Sequence, residues 1–408
     1  MSSVFALGDP LFSGGFDTGV VLFVIAKAVL GFLFVMIGVI FMIWFERKLI
    51  ADLQNRIGPN RAGPWGIGQT LADGIKLIFK EDLRPDGADT LVFRLAPYLS
   101  VVPAFLTFTI VPIGGLFKGG HDGSITLFGH STFVQVADPP IGVLFLLAMS
   151  SIGIYGVMLA GWASGSKYPL LGSVRASASM ISYEAALGLS VVAVILMSGS
   201  LSTHDIVAVQ ASGNVFGNWN IFATAFVPFA VFCIAATAEL NRPPFDLVEA
   251  EQELVGGFHT EYSSMRFGMF YLAEFMNTIT MSAIIVTLFL GGPAGPIGPG
   301  PEQLWPFFWF LLKLLAFLAT FVWIRGTLPR YRYDQLMDLG WKRLIPIALL
   351  WLLFIAAIRV GRDQHWDAWL VPAVAIGIGL LVYGLLAGAM RTAADRVAEQ
   401  DELGEVDA

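Results

Sequence analysis

Apolar positions in this chain fall in long blocks, not in alternation. A helix needs about 20 such residues to cross a hydrocarbon core of about 30 Å. By that measure nine spans are predicted, at 18–45, 95–116, 140–162, 176–198, 221–238, 268–290, 304–324, 344–358 and 368–389. The first is longer than a perpendicular crossing needs and predicts tilt. The eighth, LIPIALLWLLFIAAI, is short and bracketed by Arg343 and Arg359, whose stems can snorkel.

Two polar segments keep a helical period. In WGIGQTLADGIKLIFK, Ile67, Leu71, Ile75 and Ile78 share one face, while Gln69, Asp73, Lys76 and Lys80 occupy another. That spacing predicts an amphipathic helix, too short to cross, lying at the interface or against a partner. In ELNRPPFDLVEAEQELVGG, Asp246 and Glu249 fit a capping box, and Gly256-Gly257 fit a helix end. A helix over 247–255 would carry Asp246, Glu249 and Glu253 on one face, with Glu251 pointing elsewhere. The pattern as a whole predicts an all-α polytopic membrane protein with short loop helices on one side. Residues 1–360 form the main membrane unit, and 361–408 add a further span and an acidic tail.

Composition agrees. The chain is 56% hydrophobic and 13% charged, against about 25% charged in soluble proteins. The net charge of −7 is concentrated in the tail AEQDELGEVDA. The first Lys, Lys27, is already inside an apolar block, so no basic segment marks a cleavable signal. The single Cys233 excludes an internal disulfide and a cluster held by this chain alone. The five histidines lack metal spacing. GGPAGPIGPGP has no phosphate-loop lysine.

Lys and Arg set the orientation. With the N-terminus outside, 19 fall in inward segments and three in outward ones. This split places the C-terminus and the acid-rich loop on the cytoplasmic side.

Acids at membrane depth carry the functional signal. Glu184, in SASMISYEAALGLSV, and Glu274, in FYLAEFMN, lie within spans, and Glu239 ends one. An ionised group at the centre of a span costs about 2.5–3.5 kcal/mol on insertion scales, and such residues mark pathways or pairs. A row of such acids can pass protons when burial and neighbouring charges hold them near neutrality. The alternative is structural ion pairing, for example with Lys27 or Lys313. Near the inward face, Glu46-Arg47-Lys48, Arg56 and RYRYD (330–334) concentrate charge and rings beside apolar surface, which suits an amphiphilic ligand with a polar head. Positive-inside anchoring with an aromatic belt explains part of the same pattern.

These runs also resemble a known family. ERK with QNRIGPNRAGPWGIGQTLADGIKLIFKED, then GSKYPLLGSVRASASMISYE, AELNRPPFDLVEAEQELVGGFHTEYSSMRFGMFYLAEF and WIRGTLPRYRYDQLMDLGWK stand in that order over about 20–345. They are similar to the H subunit of bacterial NADH:quinone oxidoreductase (respiratory complex I), counterpart of mitochondrial subunit 1. ASASM stands where the family pattern reads ASAQM.

The resemblance implies a membrane subunit of a proton-pumping enzyme, not catalytic alone, that joins the redox arm to the membrane arm. It implies quinone contact by Glu46, Arg47, Arg56, Asp73, Arg242, Phe245, Glu249, Arg330 and Arg332. It implies a proton-coupling path through Glu184, Glu239, Asp246, Glu253 and Glu274, to which Lys313 is added as a candidate. Quinone is the implied substrate. NADH, flavin and iron–sulfur clusters would belong to partner subunits: those of the peripheral-arm quinone site and the small and antiporter-like membrane subunits. Membrane lipid is a further partner, nucleic acid is not, and the location is the bacterial cell membrane. A membrane-bound hydrogenase assembly and a free-standing ion transporter are the other readings.

Overall fold

The computed structural model describes residues 9–12, 17–117, 121–127, 129–213, 217–247 and 254–364, with single helical positions at 373, 377, 384 and 388. The ninth predicted span, the tail, and Glu249, Glu251 and Glu253 of the expected 247–255 helix lie outside the described residues.

Helices dominate. In chain order they are α1 (Thr18–Leu53), α2 (Gln69–Phe79), α3 (Thr90–Phe108), α4 (Gly142–Ala163), α5 (Lys167–Ser198), α6 (Thr203–Ala211), α7 (Asn220–Ala223), α8 (Val227–Glu239), α9 (Ser264–Phe289), α10 (Leu304–Thr327), α11 (Tyr333–Asp338) and α12 (Ile345–Asp363). Seven stretches are long and apolar enough to cross a membrane, counting α11 to α12 as one. They make the chain an all-α polytopic membrane protein, as the apolar blocks predict.

α9 is the centre of the bundle, and most of its apolar stretch is buried. Three of its hydroxyls are satisfied within the helix: Thr278, Ser282 and Thr287 each donate to a carbonyl four residues back, at 2.8–2.9 Å. At the other extreme, α1 buries one narrow edge, through Val35, Val39, Met42 and Glu46, and leaves Leu22, Ile25, Leu30 and Ile37 exposed. α2 forms where its period predicts. Ile67, just ahead of it, and Leu71, Ile75, Ile78 and Phe79 stay exposed, so its apolar face is uncovered among the described residues.

Four expectations change. The fifth apolar block, 221–238, is not one span. It breaks between α7 and α8, where Ala225 and Phe226 take positive φ of 56° and 68°. Pro228 then sits in the first turn of α8, where its missing N–H costs nothing. α8 has 13 residues, about 20 Å of helix. The eighth block is longer than expected: α11 runs through a π-helical segment, Leu339–Leu344, into α12. α5 begins at Lys167, nine residues before the expected span, and its 32 residues make about 48 Å of helix. The loop after α3 holds a hairpin, Ser124–Leu127 paired with His130–Phe133, too short for periodicity to reveal.

The turn after the acid-rich loop is fixed by close packing. A Cβ on Gly172 of α5 would lie 2.8 Å from Gly257 Cα. Tyr262 stacks on Phe93 at 4.0 Å and donates its hydroxyl to the Phe93 carbonyl at 3.2 Å.

Candidate functional site

Four charged side chains from four elements meet where the C-terminal parts of α1 and α10 come together with the first half of α9. Glu46 of α1 is 4% exposed and Arg242, just after α8, is 2% exposed. Arg242 donates to Glu46 Oε2 at 2.7 Å and places its other terminal nitrogen 3.3 Å from Glu274 Oε1. Its guanidinium also lies 4.7 Å from the Phe275 ring centroid. Arg325 of α10 pairs with Glu46 Oε1. Two acids and two bases thus form a neutral set, the condition under which buried charge is tolerated.

A cleft of about 400 Å³ lies beside this set, lined by Glu46, Arg47, Arg56, Tyr271, Phe275 and Arg325 among others. Arg47 reaches across to α2 and donates to Asp73 at 2.7 Å, and Gln69 adds a bond to Asp73 at 3.1 Å. Burial raises the Asp73 carboxyl, but the bonds from Arg47 and Gln69 outweigh it and hold the group below its ordinary value. A carboxyl depressed in the folded state stabilises above its unfolded value, and that contribution is lost as pH falls through the folded value. Asp73→Asn is therefore expected to lower the melting temperature at neutral pH. The difference from the parent should hold down to about pH 4 and close below it; a gap unchanged down to about pH 2 would reject the pairing as its cause.

A second pair lies deeper in the loop. Asp246, 1% exposed, accepts from Arg330 at 2.9 Å. Phe245 packs between Tyr331, at 5.7 Å, and Tyr183, at 5.5 Å. Tyr183 in turn donates to the Leu336 carbonyl at 2.8 Å. The acid-rich loop and the segment before α11 are thereby joined. Arg332 is not part of this arrangement: it is 77% exposed and pairs with its neighbour Asp334.

The membrane acids are held by two consecutive serines of α4. Ser150 donates to Glu239, and Ser151 donates to Glu184. Glu239 and Glu274 line one internal cavity of about 100 Å³, with Ser150, Asn241 and Asn277. Glu239 Oε2 is buried there without a hydrogen-bond partner among the described residues.

Neither in-span lysine pairs with these acids. Lys27 binds Asp9 at 2.5 Å and Thr132 at 2.9 Å. Lys313 donates to the carbonyls of Leu290, Gly292 and Ala294 at 2.7–2.9 Å and lies over the Trp219 ring. That loop follows the far end of α9, about 24 Å of helix from Glu274. Lys313 caps the end of α9 and stands apart from the acid row, because its three donors are used on carbonyls that α9 and its loop leave open. Arg325, Ser150, Ser151 and Asn241 were missed from sequence. Arg325 looks like anchoring charge there, and a serine pair inside an apolar block looks like a small-residue packing face.

The fold and site define a class: a polytopic helical membrane protein with a neutral buried charge set between a surface cleft and an internal acid cavity. The family model described as NADH dehydrogenase matches residues 26–356. The H subunit of NADH-quinone oxidoreductase from Frankia alni is 52% identical over 382 residues, covering 92% of this chain and 81% of that protein. Its counterpart in Frankia casuarinae is 51% identical, covering 94% and 84%, and that in Streptomyces avermitilis 48%, covering 89% and 79%. The chain belongs to the NADH dehydrogenase family.

Proposed function

We propose that this chain is the membrane subunit of a proton-pumping NADH:quinone oxidoreductase that forms the membrane wall of the quinone chamber and begins the proton-coupling path. One observation carries the reading. Glu46 lines the cleft, Glu274 lines the internal cavity, and Arg242 touches both acids. Tyr271 lines both spaces. A change of charge in the cleft therefore acts on the acid cavity through a single guanidinium.

The quinone is substrate. Its headgroup would meet Arg47, Arg56 and Glu46, with Asp73 holding Arg47 in place. Asp246–Arg330 and Phe245 tie the acid-rich loop to this end of the bundle; Glu249 and Glu253, next in sequence, are assigned to the headgroup path and to the proton-coupling path. Reduction of the headgroup draws protons and alters the balance around Glu46. Arg242 then shifts its share between Glu46 and Glu274, and Glu274, Glu239 and Glu184 change their proton occupancy in response. Electrons come from iron–sulfur clusters of partner subunits at the peripheral arm, and other membrane subunits carry the protons across. The chain sits in the bacterial cell membrane with its N-terminus outside, consistent with the Lys/Arg split.

A photoreactive quinone analogue applied to the assembled enzyme tests the chamber. Labelling within 43–59 or 271–275, suppressed by excess quinone, is the expected result. Labelling confined to other segments or to partner proteins would overturn it.

A further inference from the structure

We propose that His259 is a proton relay that gives the acid cavity its own access from the inward face, separate from the quinone cleft. The inference rests on the functional reading above.

Two spaces meet at this residue. The internal cavity of about 100 Å³ reaches from Glu239 and Glu274 to Phe258, His259 and Phe267. A second space of about 290 Å³ is lined by Lys80, Gly256, His259, Thr260, Ser263 and Phe267, with the exposed Lys80 and Val255 at its rim. His259 and Phe267 line both, so these two side chains are the partition. The quinone cleft shares no lining residue with the outer space and only Tyr271 with the inner one.

The inner space suits water. Its volume exceeds the roughly 30 Å³ share of one water, and a buried water wants two to four polar partners. Glu239 Oε2, Glu274, Asn241, Asn277 and Ser150 supply them, and among the described residues Glu239 Oε2 has no partner. Without water that oxygen carries the full desolvation cost of an unmade bond.

His259 has the chemistry for a relay. Its ring packs edge-on to Phe258 at 5.0 Å and tilted to Phe267 at 5.3 Å. Among the described residues its ring nitrogens have no hydrogen-bond partner. Burial pushes the imidazole down to about 4, so at neutral pH one nitrogen accepts and the other donates. A proton from water in the outer space binds the free nitrogen. The opposite N–H releases its proton to inner water, and the Glu239 carboxylate takes it up. One proton has moved, the ring has exchanged tautomers, and rotation resets it. Of the charged residues lining the two spaces, Lys80 is on the outer side, and Glu239 and Glu274 are on the inner. Gly172 against Gly257 and Tyr262 on Phe93 also hold the turn, beside the imidazole's own contacts.

The test uses the assembled oxidoreductase in sealed vesicles. His259→Ala should cut proton pumping and coupled quinone reduction by at least about ten-fold, a modest share of what a positioned acid–base group contributes. The KM for quinone should not change. Added imidazole should restore the rate with saturation, which a packing defect would not allow. Wild-type rates in His259→Ala overturn the proposal, and so does a deficit that imidazole leaves untouched. If His259→Ala fails to assemble, His259→Gln keeps the bulk without the relay: a deficit at unchanged KM supports the proposal, and wild-type rates overturn it. Glu239→Gln separates the two readings. If it loses pumping while His259→Ala does not, only the separate access fails; if neither loses it, the proton-coupling reading fails as well.

Discussion

Arg242→Met in the assembled enzyme is expected to give the largest loss of any single substitution in this chain. The variant leaves Glu46 with Arg325 alone and removes the guanidinium that faces Glu274. Breaking a buried pair by deleting one member costs about 3–5 kcal/mol, because the other charge stays buried. In the bilayer that cost appears as poor assembly, and in whatever assembles as lost quinone reduction. Arg242→Lys should not rescue, since one ammonium cannot reproduce a planar fork that meets two carboxylates and a ring. Arg242→Met combined with Glu274→Gln should recover assembly in part, because a negative charge leaves with the positive one. Yield of intact complex and quinone reductase rate measure both. If the single variant assembles and turns over like the parent, the charge set is not the link between cleft and cavity.

Glu239→Gln is expected to separate assembly from coupling. Gln keeps the shape of the side chain and can still accept from Ser150. It cannot take up or release a proton. The complex should therefore assemble, bind quinone with unchanged KM, and pump at no more than about a tenth of the parental rate, the scale on which loss of a positioned proton acceptor is felt. Acidification of inverted vesicles during NADH oxidation measures it. Parental pumping would remove Glu239 from the path.

What the sequence makes legible is what local chemistry decides. α2 follows from the spacing of Leu71, Ile75 and Ile78, and the all-helical membrane class follows from the long apolar blocks. The acids Glu184, Glu239 and Glu274 stand out because each costs energy where it lies. Their partners do not stand out. Arg325 and Glu46 are 279 residues apart, Arg242 and Glu46 196, and Ser150 and Glu239 89. No periodicity reports which bases the bundle brings to which acids. Lys313 shows the same limit from the other side: nothing local reveals that its three donors meet carbonyls of α9's end and a Gly/Pro loop. The break at Ala225-Phe226 was hidden for a different reason. Positive φ at Ala and Phe is uncommon, and only the surrounding packing imposes it there.

That break bears on how the chain enters the bilayer. At 13 residues α8 is too short to halt a translocating chain by its own apolar length. The open carbonyl of Thr224 receives its donor, the Trp351 indole, at 2.9 Å from 127 residues further on. Irregular backbone is tolerated in hydrocarbon only when protein covers it. The segment after α7 is therefore expected to lack this donor while ribosomal synthesis is still short of α12. Truncation before Trp351 is expected to leave this region more open to degradation even where every earlier helix has already entered the membrane, which protease sensitivity of the truncated chain would measure.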